Sequence, residues 1–275
     1  MARFEHQLSL TSPAFVSLIQ RVPLQDSPPL PPDWLRCEML ERYQVIRHAD
    51  LQLGSAVMEI GSGGHAISTL PLAFELGPKG RLFAIERSRW SQFWPVVRVS
   101  GMEDRIRPVA CDARHLPFRR GSIDVAVCIH GIRSLGTDEE IVEVFQEMFR
   151  VAPRVFLAES LPIANNDAQA AHLRMYNLRE RVFEATTGRK DDRKYLPLRS
   201  LGGLVERAGG VVENSATLDI ALPHALAYFP RTLVESVPGE TERSELLRRW
   251  DEAKSLLDRH GEDHPPVGMI IARRS

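Results

Sequence analysis

From residue 54 onward the chain alternates short apolar runs with longer stretches whose apolar positions recur every three or four residues. The runs are AVMEI, RLFAIE, IRPVACD, DVAVCIH and RVFLAES, and their length and character predict strands. Between the last two lies TDEEIVEVFQEMFRVA. There Thr137 and Glu140 have the spacing of a capping box, and Ile141, Val144, Phe145, Met148 and Phe149 form one stripe, which predicts an amphipathic helix. Strands that alternate with helices require right-handed crossovers. The expectation is a doubly wound α/β domain, its parallel sheet covered on both faces.

Both flanks depart from this rhythm. PLQDSPPLPPDW carries five prolines between Pro23 and Pro32, too many for a helix or a central strand, so it reads as an extended connector. Next comes DWLRCEMLERYQVIRHAD, with Leu35, Met39, Leu40, Tyr43 and Ile46 at helical spacing and Asp33 as a plausible cap. After RVFLAES an inserted helix begins near Asn166. LPLRSLGGLVERAGGVVENSATLDI then returns to helix, glycine stop and strand. TERSELLRRWDEAKSLLDRH is a second inserted helix, with Thr241 as its expected N-cap, and PVGMIIARR a last strand. The expected divisions are an N-terminal, proline-rich lid segment (1–50), the first half of the α/β domain (51–160), a helical lid insertion (161–195) and the second half (196–275), with a helical insertion at 225–262.

Composition narrows the function classes. The 275 residues carry a net charge of −1, which gives no support to a generic polyanion binder, although a local basic groove is compatible with it. Three cysteines, Cys37, Cys111 and Cys128, form no CxxC pair. That argues against a disulfide framework or a structural metal site and fits a reducing compartment. No apolar run approaches the ~20 residues of a membrane span, and Glu5 and His6 interrupt what a signal peptide would need as an apolar core. A cytoplasmic protein with no membrane partner is expected.

The candidate chemistry sits in VMEIGSGGHAISTLPLA. An open parallel sheet binds ligands beyond the carboxyl ends of its strands. Gly61 and Gly63 let the backbone approach such a ligand, and the amides opening the next helix offer donors. GSGGHA alone also fits the dinucleotide pattern GxGxxA, so a nicotinamide-dependent oxidoreductase is an alternative. Three acids mark the strand ends, and two of them, Glu59 and Asp112, have no natural task in that alternative. Glu59 ends the first strand, Glu86 ends the second and can accept both ribose hydroxyls, and Asp112 ends the third, where it can accept an exocyclic adenine amine.

The series VMEIGSGGH, LFAIE, CDARHLPF and GSIDVAVCIHGI resembles the class I S-adenosylmethionine-dependent methyltransferases over roughly residues 50–160, and more loosely beyond. That resemblance implies a mostly parallel seven-stranded sheet with an antiparallel last strand and helical lid insertions. It also implies S-adenosyl-L-methionine as cofactor. Glu59, Gly61, Ser62 and Gly63 would hold its methionine part, Glu86 its ribose, Asp112 and the Ala113 amide its adenine, and Arg87 would stack on the adenine face. The family often writes GxGxG. Here the third glycine position is His65, which is expected to open the helix facing solvent, with a contact to the cofactor carboxylate as the alternative.

Methyl transfer is an in-line displacement that asks for alignment, dryness and sometimes a base. His130, after the fourth strand, is the candidate base and a cofactor contact. Glu159, at the end of the fifth strand, and His172 with Tyr176, four apart on one helix face, are the candidate substrate contacts. The Asn/Asp-Pro-Pro-aromatic motif of amino-methylating nucleic-acid enzymes is absent, with IHGI in its place. The expected acceptor is a small molecule. RNA or protein methylation stays open because the insertion carries Arg174, Arg179, Arg181, Arg189, Lys190, Arg193 and Lys194, and so does a non-catalytic cofactor-binding role.

Overall fold

The computed structural model describes residues 11–25, 32–88, 90–188, 195–220 and 229–275. Residues 26–31 of the proline-rich connector and residues 189–194 lie outside the described residues. Seven strands form one sheet: β1 (Ala56–Ile60), β2 (Arg81–Glu86), β3 (Ile106–Ala110), β4 (Val125–Ile129), β5 (Arg154–Ser160), β6 (Gly210–Leu218) and β7 (Val267–Arg274). Their spatial order is β3-β2-β1-β4-β5-β7-β6. The first five pair in parallel, and β7 runs antiparallel between β5 and β6. The expected sheet and its reversed last strand are both present.

Strand alternation sends side chains to two cores. Val57, Val127, Phe156, Ala158 and Met269 enter one, and Met58, Ala126, Cys128, Leu157 and Ile270 the other. Four helices cover the first face: α1 (Pro13–Ile19), α2 (Trp34–Ile46), α3 (Thr69–Glu75) and α4 (Phe93–Ser100). On α2 every apolar position picked from the sequence is buried, Leu35, Met39, Leu40, Tyr43 and Ile46 alike. Tyr43 stacks on Phe15 with ring centroids 4.1 Å apart, which makes it a core residue. Phe93 is fully buried with Trp90 and Trp94 edge-on to it, so this aromatic cluster packs on the sheet.

The second face is covered by α5 (Asp138–Val151) and α7 (Leu198–Arg207). On α5 the whole predicted stripe is buried, and each such side chain contributes roughly 1.5–3 kcal/mol. Its capping box forms as expected: Thr137 Oγ1 accepts the Glu140 amide, and Glu140 Oε2 accepts the Thr137 amide, each at 3.2 Å.

The insertions build a third, smaller core. α6 (Asp167–Thr187), α8 (Arg231–Glu235) and α9 (Glu240–His260) meet through Met175, Val182, Val234, Leu246 and Trp250. Asn166 caps α6 by accepting the Gln169 amide at 2.9 Å. At α9 the expectation fails: Gly239 occupies the N-cap and Thr241 lies inside the helix. The left-handed region is open to glycine, and Gly239 at φ +90° turns the chain into the helix. Asp33 does hold the N-cap position of α2, but without a side-chain capping bond.

Candidate active site

Parallel register aligns the carboxyl ends of β1 to β5 along one edge, and the order reverses between β1 and β4. At this switch point the turn after β1 meets the turn after β4. A Cβ on Gly61 would lie 3.5 Å from Gly131 Cα, and one on Gly131 would lie 2.8 Å from Cys128 Sγ and 3.2 Å from Ile60 O. Gly131 has no room for a side chain, whereas at Gly61 the contact is an ordinary van der Waals one and the left-handed backbone is what favours glycine. Gly61 and Gly63 are both left-handed, at φ +73° and +67°, and a Cβ on Gly63 would meet open space. The Gly61 and Ser62 amides both donate to Ile85 O, at 3.0 and 3.1 Å, so β2 fixes the turn and Ser62 is buried within it.

Two expectations about this turn are corrected. Helix α3 begins only at Thr69, after tight turns at 64–65 and 67–68, so turn amides rather than a helix end border the crevice. His65 therefore does not open a helix. It is half-buried, edge-on to Trp34 with centroids 5.4 Å apart. The third left-handed residue of the loop is Ala66, fully buried at φ +52°.

Glu59 is fully buried at the end of β1. Thr69 Oγ1 donates to its Oε2 at 2.6 Å, while Oε1 has no hydrogen bond. Burial pushes its carboxyl up to about 7, against the opposing pull of donors at Ser68 and Thr69. Glu86 Oε1 accepts the Arg87 and Ser88 amides at 2.9 and 3.3 Å, which leaves its second oxygen for a ligand. Arg87 is exposed and close enough to Asp112 to help lower its pKa.

Asp112 has a partner that the strand pattern did not reveal. Arg114 closes on it as a fork, with Nη2 2.7 Å from Oδ2 and Nε 3.1 Å from Oδ1, and the Arg114 amide donates to Oδ1 at 2.9 Å. The hydrogen bonds from Arg114 hold this carboxyl down at about 2. Arg114 Nη1 also reaches Glu140 Oε1 at 3.1 Å, so the capping acid of α5 ties down the Asp112 loop. The same loop, with half-buried Ala113, is fastened further on by the Leu116 amide donating to Glu147 Oε2 at 2.8 Å, and by Arg150 donating to Leu116 O and Phe118 O.

Across the switch point lies a buried polar cluster. His130 is left-handed at φ +52°, a costly conformation for a residue with a Cβ. Both ring nitrogens are engaged. The Ser160 amide donates to Nδ1 at 3.3 Å, which fixes Nδ1 as an acceptor, so Nε2 carries the proton and donates to Glu41 Oε1 at 3.1 Å. Burial, then Arg42, push its pKa well below the ordinary histidine value. The lone pair wanted for a base is already taken.

Glu41 also pairs with Arg42, which donates to Glu38 Oε2 at 2.7 Å. Glu159 is buried with its Oε1 accepting the Ile132 amide at 2.7 Å, and burial pushes its pKa up to about 7. It thus holds the turn that follows β4. His172 and Tyr176 share a face as expected, their rings near-parallel with centroids 6.3 Å apart. His172 Nδ1 donates to Glu262 Oε1 at 3.0 Å, and Nε2 makes no hydrogen bond among the described residues. His264 donates from Nδ1 to Pro265 O at 2.7 Å, and its ring lies between those of His172 and His130, 5.8 and 6.1 Å from them. Arg42, Arg133, Tyr195, Glu262 and His264 had no place in the sequence expectation. The interactions that gather them join residues from distant parts of the chain. Among the described residues no cluster could hold a metal ion, and no helix is long and apolar enough to cross a membrane.

This geometry fits the comparisons with known proteins. Residues 58–154 match the family model described as a methyltransferase domain. No curated protein matches the sequence. Among solved structures, a cyclopropane-fatty-acyl-phospholipid synthase-like protein from Lactobacillus casei superposes with TM-score 0.71 at 13% identity, over 94% of this chain and 97% of its own. A SAM-dependent methyltransferase from Aquifex aeolicus gives TM-score 0.54 at 14% identity, over 94% and 98%. Geranyl diphosphate C-methyltransferase from Streptomyces coelicolor, solved with S-adenosyl-L-homocysteine, gives 0.53 at 12%, over 92% and 89%. Residues 58–154 thus carry a methyltransferase domain, and the chain as a whole has the Rossmann-like fold of these structures.

Proposed function

We propose that this methyltransferase takes its methyl group from S-adenosylmethionine and delivers it to a small-molecule acceptor. One observation carries the reading: three successive strands carry an acid at or just past their carboxyl ends, beside a turn whose left-handed glycines keep the backbone open to a ligand. The residues suit the cofactor. Glu59 Oε1 is a buried acceptor without a donor, and the methionine ammonium can supply one. Glu86 keeps an oxygen for the ribose. Asp112 keeps accepting capacity for the adenine amine, since a carboxylate has about four lone-pair sites. When bound, the cofactor supplies an electrophilic methyl on a sulfonium. The chain's part is to bind, align and exclude water. Where the acceptor loses a proton, His172 can take it at Nε2, its ring oriented by Glu262. His130 acts instead as a positioning residue between α2 and β5.

Two features support a small acceptor: the near-neutral charge, and the way the lid's basic residues are spent. Arg181 pairs with Glu184 at 2.8 Å, and Arg179 lies over the Tyr176 ring, 4.7 Å from its centroid. Arg189, Lys190, Arg193 and Lys194 lie outside the described residues. Calorimetric titration tests the cofactor assignment. S-adenosylmethionine is expected to bind and NADH not to, and Asp112→Ala should weaken the former about tenfold or more, the loss of one charge-assisted hydrogen bond. Binding of NADH without binding of S-adenosylmethionine would refute the proposal. Affinity for RNA that falls steeply with salt would move the acceptor class to nucleic acid.

A further inference from the structure

Arg133 stands apart from every other charge in the cluster. It belongs to the single helical turn after β4, one residue beyond the Ile132 amide that Glu159 holds. The guanidinium lies deep in the protein, and the residue is half-buried. Among the described residues its side chain makes one long contact, Nη1 to the Tyr195 hydroxyl at 3.5 Å, with the guanidinium carbon 6.0 Å from that ring's centroid. Nε and Nη2 make no hydrogen bond to the described residues, and the half-buried side chain still reaches solvent. These donors therefore border open space inside the enclosure.

Glu159 and Glu38 act on the guanidinium through space and favour its charge, but among the described residues no carboxylate bonds its fork. Glu38 is paired to Arg42, Glu41 to Arg42 and His130, and Glu159 accepts the Ile132 amide. Among the described residues none forms an ion pair with Arg133. An arginine keeps its proton in the interior, so a guanidinium whose neighbouring carboxylates stand beyond hydrogen-bond reach still offers its fork to an anion. Its planar fork matches a carboxylate, which it can hold with two parallel hydrogen bonds. Beside it are aromatic faces: Tyr195 is edge-on to Tyr176 with centroids 4.8 Å apart, and Tyr176 stacks on His172.

We propose that Arg133 receives a carboxylate of the methyl acceptor, whose flat, aromatic body lies along Tyr195. The inference deepens the proposed function and rests on it, because the pocket is identified as the acceptor's by its place beside the β1–β4 switch point. The carboxylate anchors the acceptor at the lid and leaves its other end facing the Gly61 turn, near the unbonded Nε2 of His172.

Calorimetry with benzoate and its neutral isostere benzamide tests this on the full chain, with and without saturating S-adenosylhomocysteine. The wild-type protein is expected to favour benzoate over benzamide by about tenfold or more. Arg133→Gln should abolish that preference and leave S-adenosylhomocysteine affinity within about twofold. Arg133→Lys, which keeps the charge without the fork, should retain part of the preference, and thermal melts establish that both variants fold. No preference in the wild type, or a preference that survives Arg133→Gln, overturns the proposal. A loss of S-adenosylhomocysteine affinity with the benzoate preference intact also overturns it, by giving Arg133 to the cofactor's carboxylate. Phenyl phosphate binding more tightly than benzoate would replace the carboxylate with a phosphate. If S-adenosylhomocysteine does not bind while benzoate is still preferred, the cofactor reading fails and the anion site stands.

Discussion

The two sides of the switch point are built in opposite ways. On the β2–β3 side the functional groups are partly exposed and held by near neighbours: Glu86 by the two amides after it, Asp112 by Arg114 two residues on. On the β4–β5 side they are buried and held across the chain. His130 reaches Glu41 over 89 positions, Glu159 reaches Ile132 over 27, and His172 reaches Glu262 over 90. The first side is a recognition surface whose parts keep their shape locally. The second is a polar core whose parts keep their shape only together.

The contrast predicts unequal damage from removing one partner on each side. Glu41→Ala strips the buried Arg42 of one of its two carboxylates and leaves the His130 Nε2–H without an acceptor. Chemical denaturation should show a loss of about 3–5 kcal/mol, the usual cost of breaking a buried pair from one end. Arg114→Ala opens an exposed fork and should move the melting temperature by no more than about 2 °C. Its effect should appear instead in cofactor affinity, through a less fixed Asp112. Comparable melting losses in the two variants would erase the distinction between the sides.

The same contrast explains what could be read from sequence. Strand ends carrying Glu59, Glu86 and Asp112 are legible because a parallel sheet turns linear spacing into alignment along one edge. The α5 stripe and its capping box are legible because a helix repeats locally. Thr241 misled because the turn into α9 needed a left-handed glycine, and φ is not visible in a Ser/Thr spacing rule. Arg133, Glu262 and His264 were out of reach, since their partners come from segments that only the folded chain brings together. Arg114 was the avoidable omission: an Asp-x-Arg pair just past a strand end is a local signal.

Protons probe the buried side next. Glu59 and Glu159 have folded pKa values of about 7, above the ordinary carboxylate value, because burial disfavours their charge. Between those values the folded state binds more protons than the unfolded, so each carboxyl lowers stability as pH rises through that window. His130 and His264 are pushed the other way by burial. Their folded pKa values lie below the unfolded value near 6.5, so each raises stability as pH rises toward 6.5. Two of each sign nearly cancel below pH 6.5. Above it the unfolded histidines finish titrating and the carboxyls dominate, and stability should fall by about 0.5–1 kcal/mol between pH 6.5 and 7.5, flattening beyond. Denaturant melts across that range check the slope, and the double variant Glu59→Gln, Glu159→Gln should abolish it. A slope that survives both substitutions would place the titration on the exposed side instead.

The smallest effect concerns the turn itself. Ala66 sits fully buried at φ +52°, where a Cβ costs on the order of 1–2 kcal/mol. Glycine there would relieve the strain, but it would also give the unfolded chain more freedom, worth ~0.4–1 kcal/mol against it. The balance favours Ala66→Gly by about 0.5 kcal/mol. A stabilisation of that size with unchanged cofactor affinity is expected, because Gly61 and Gly63 already supply the close approach and Ile85 O holds the Gly61 and Ser62 amides in place. A fall in affinity without loss of stability would mean that the strained alanine helps to hold the turn open toward the crevice.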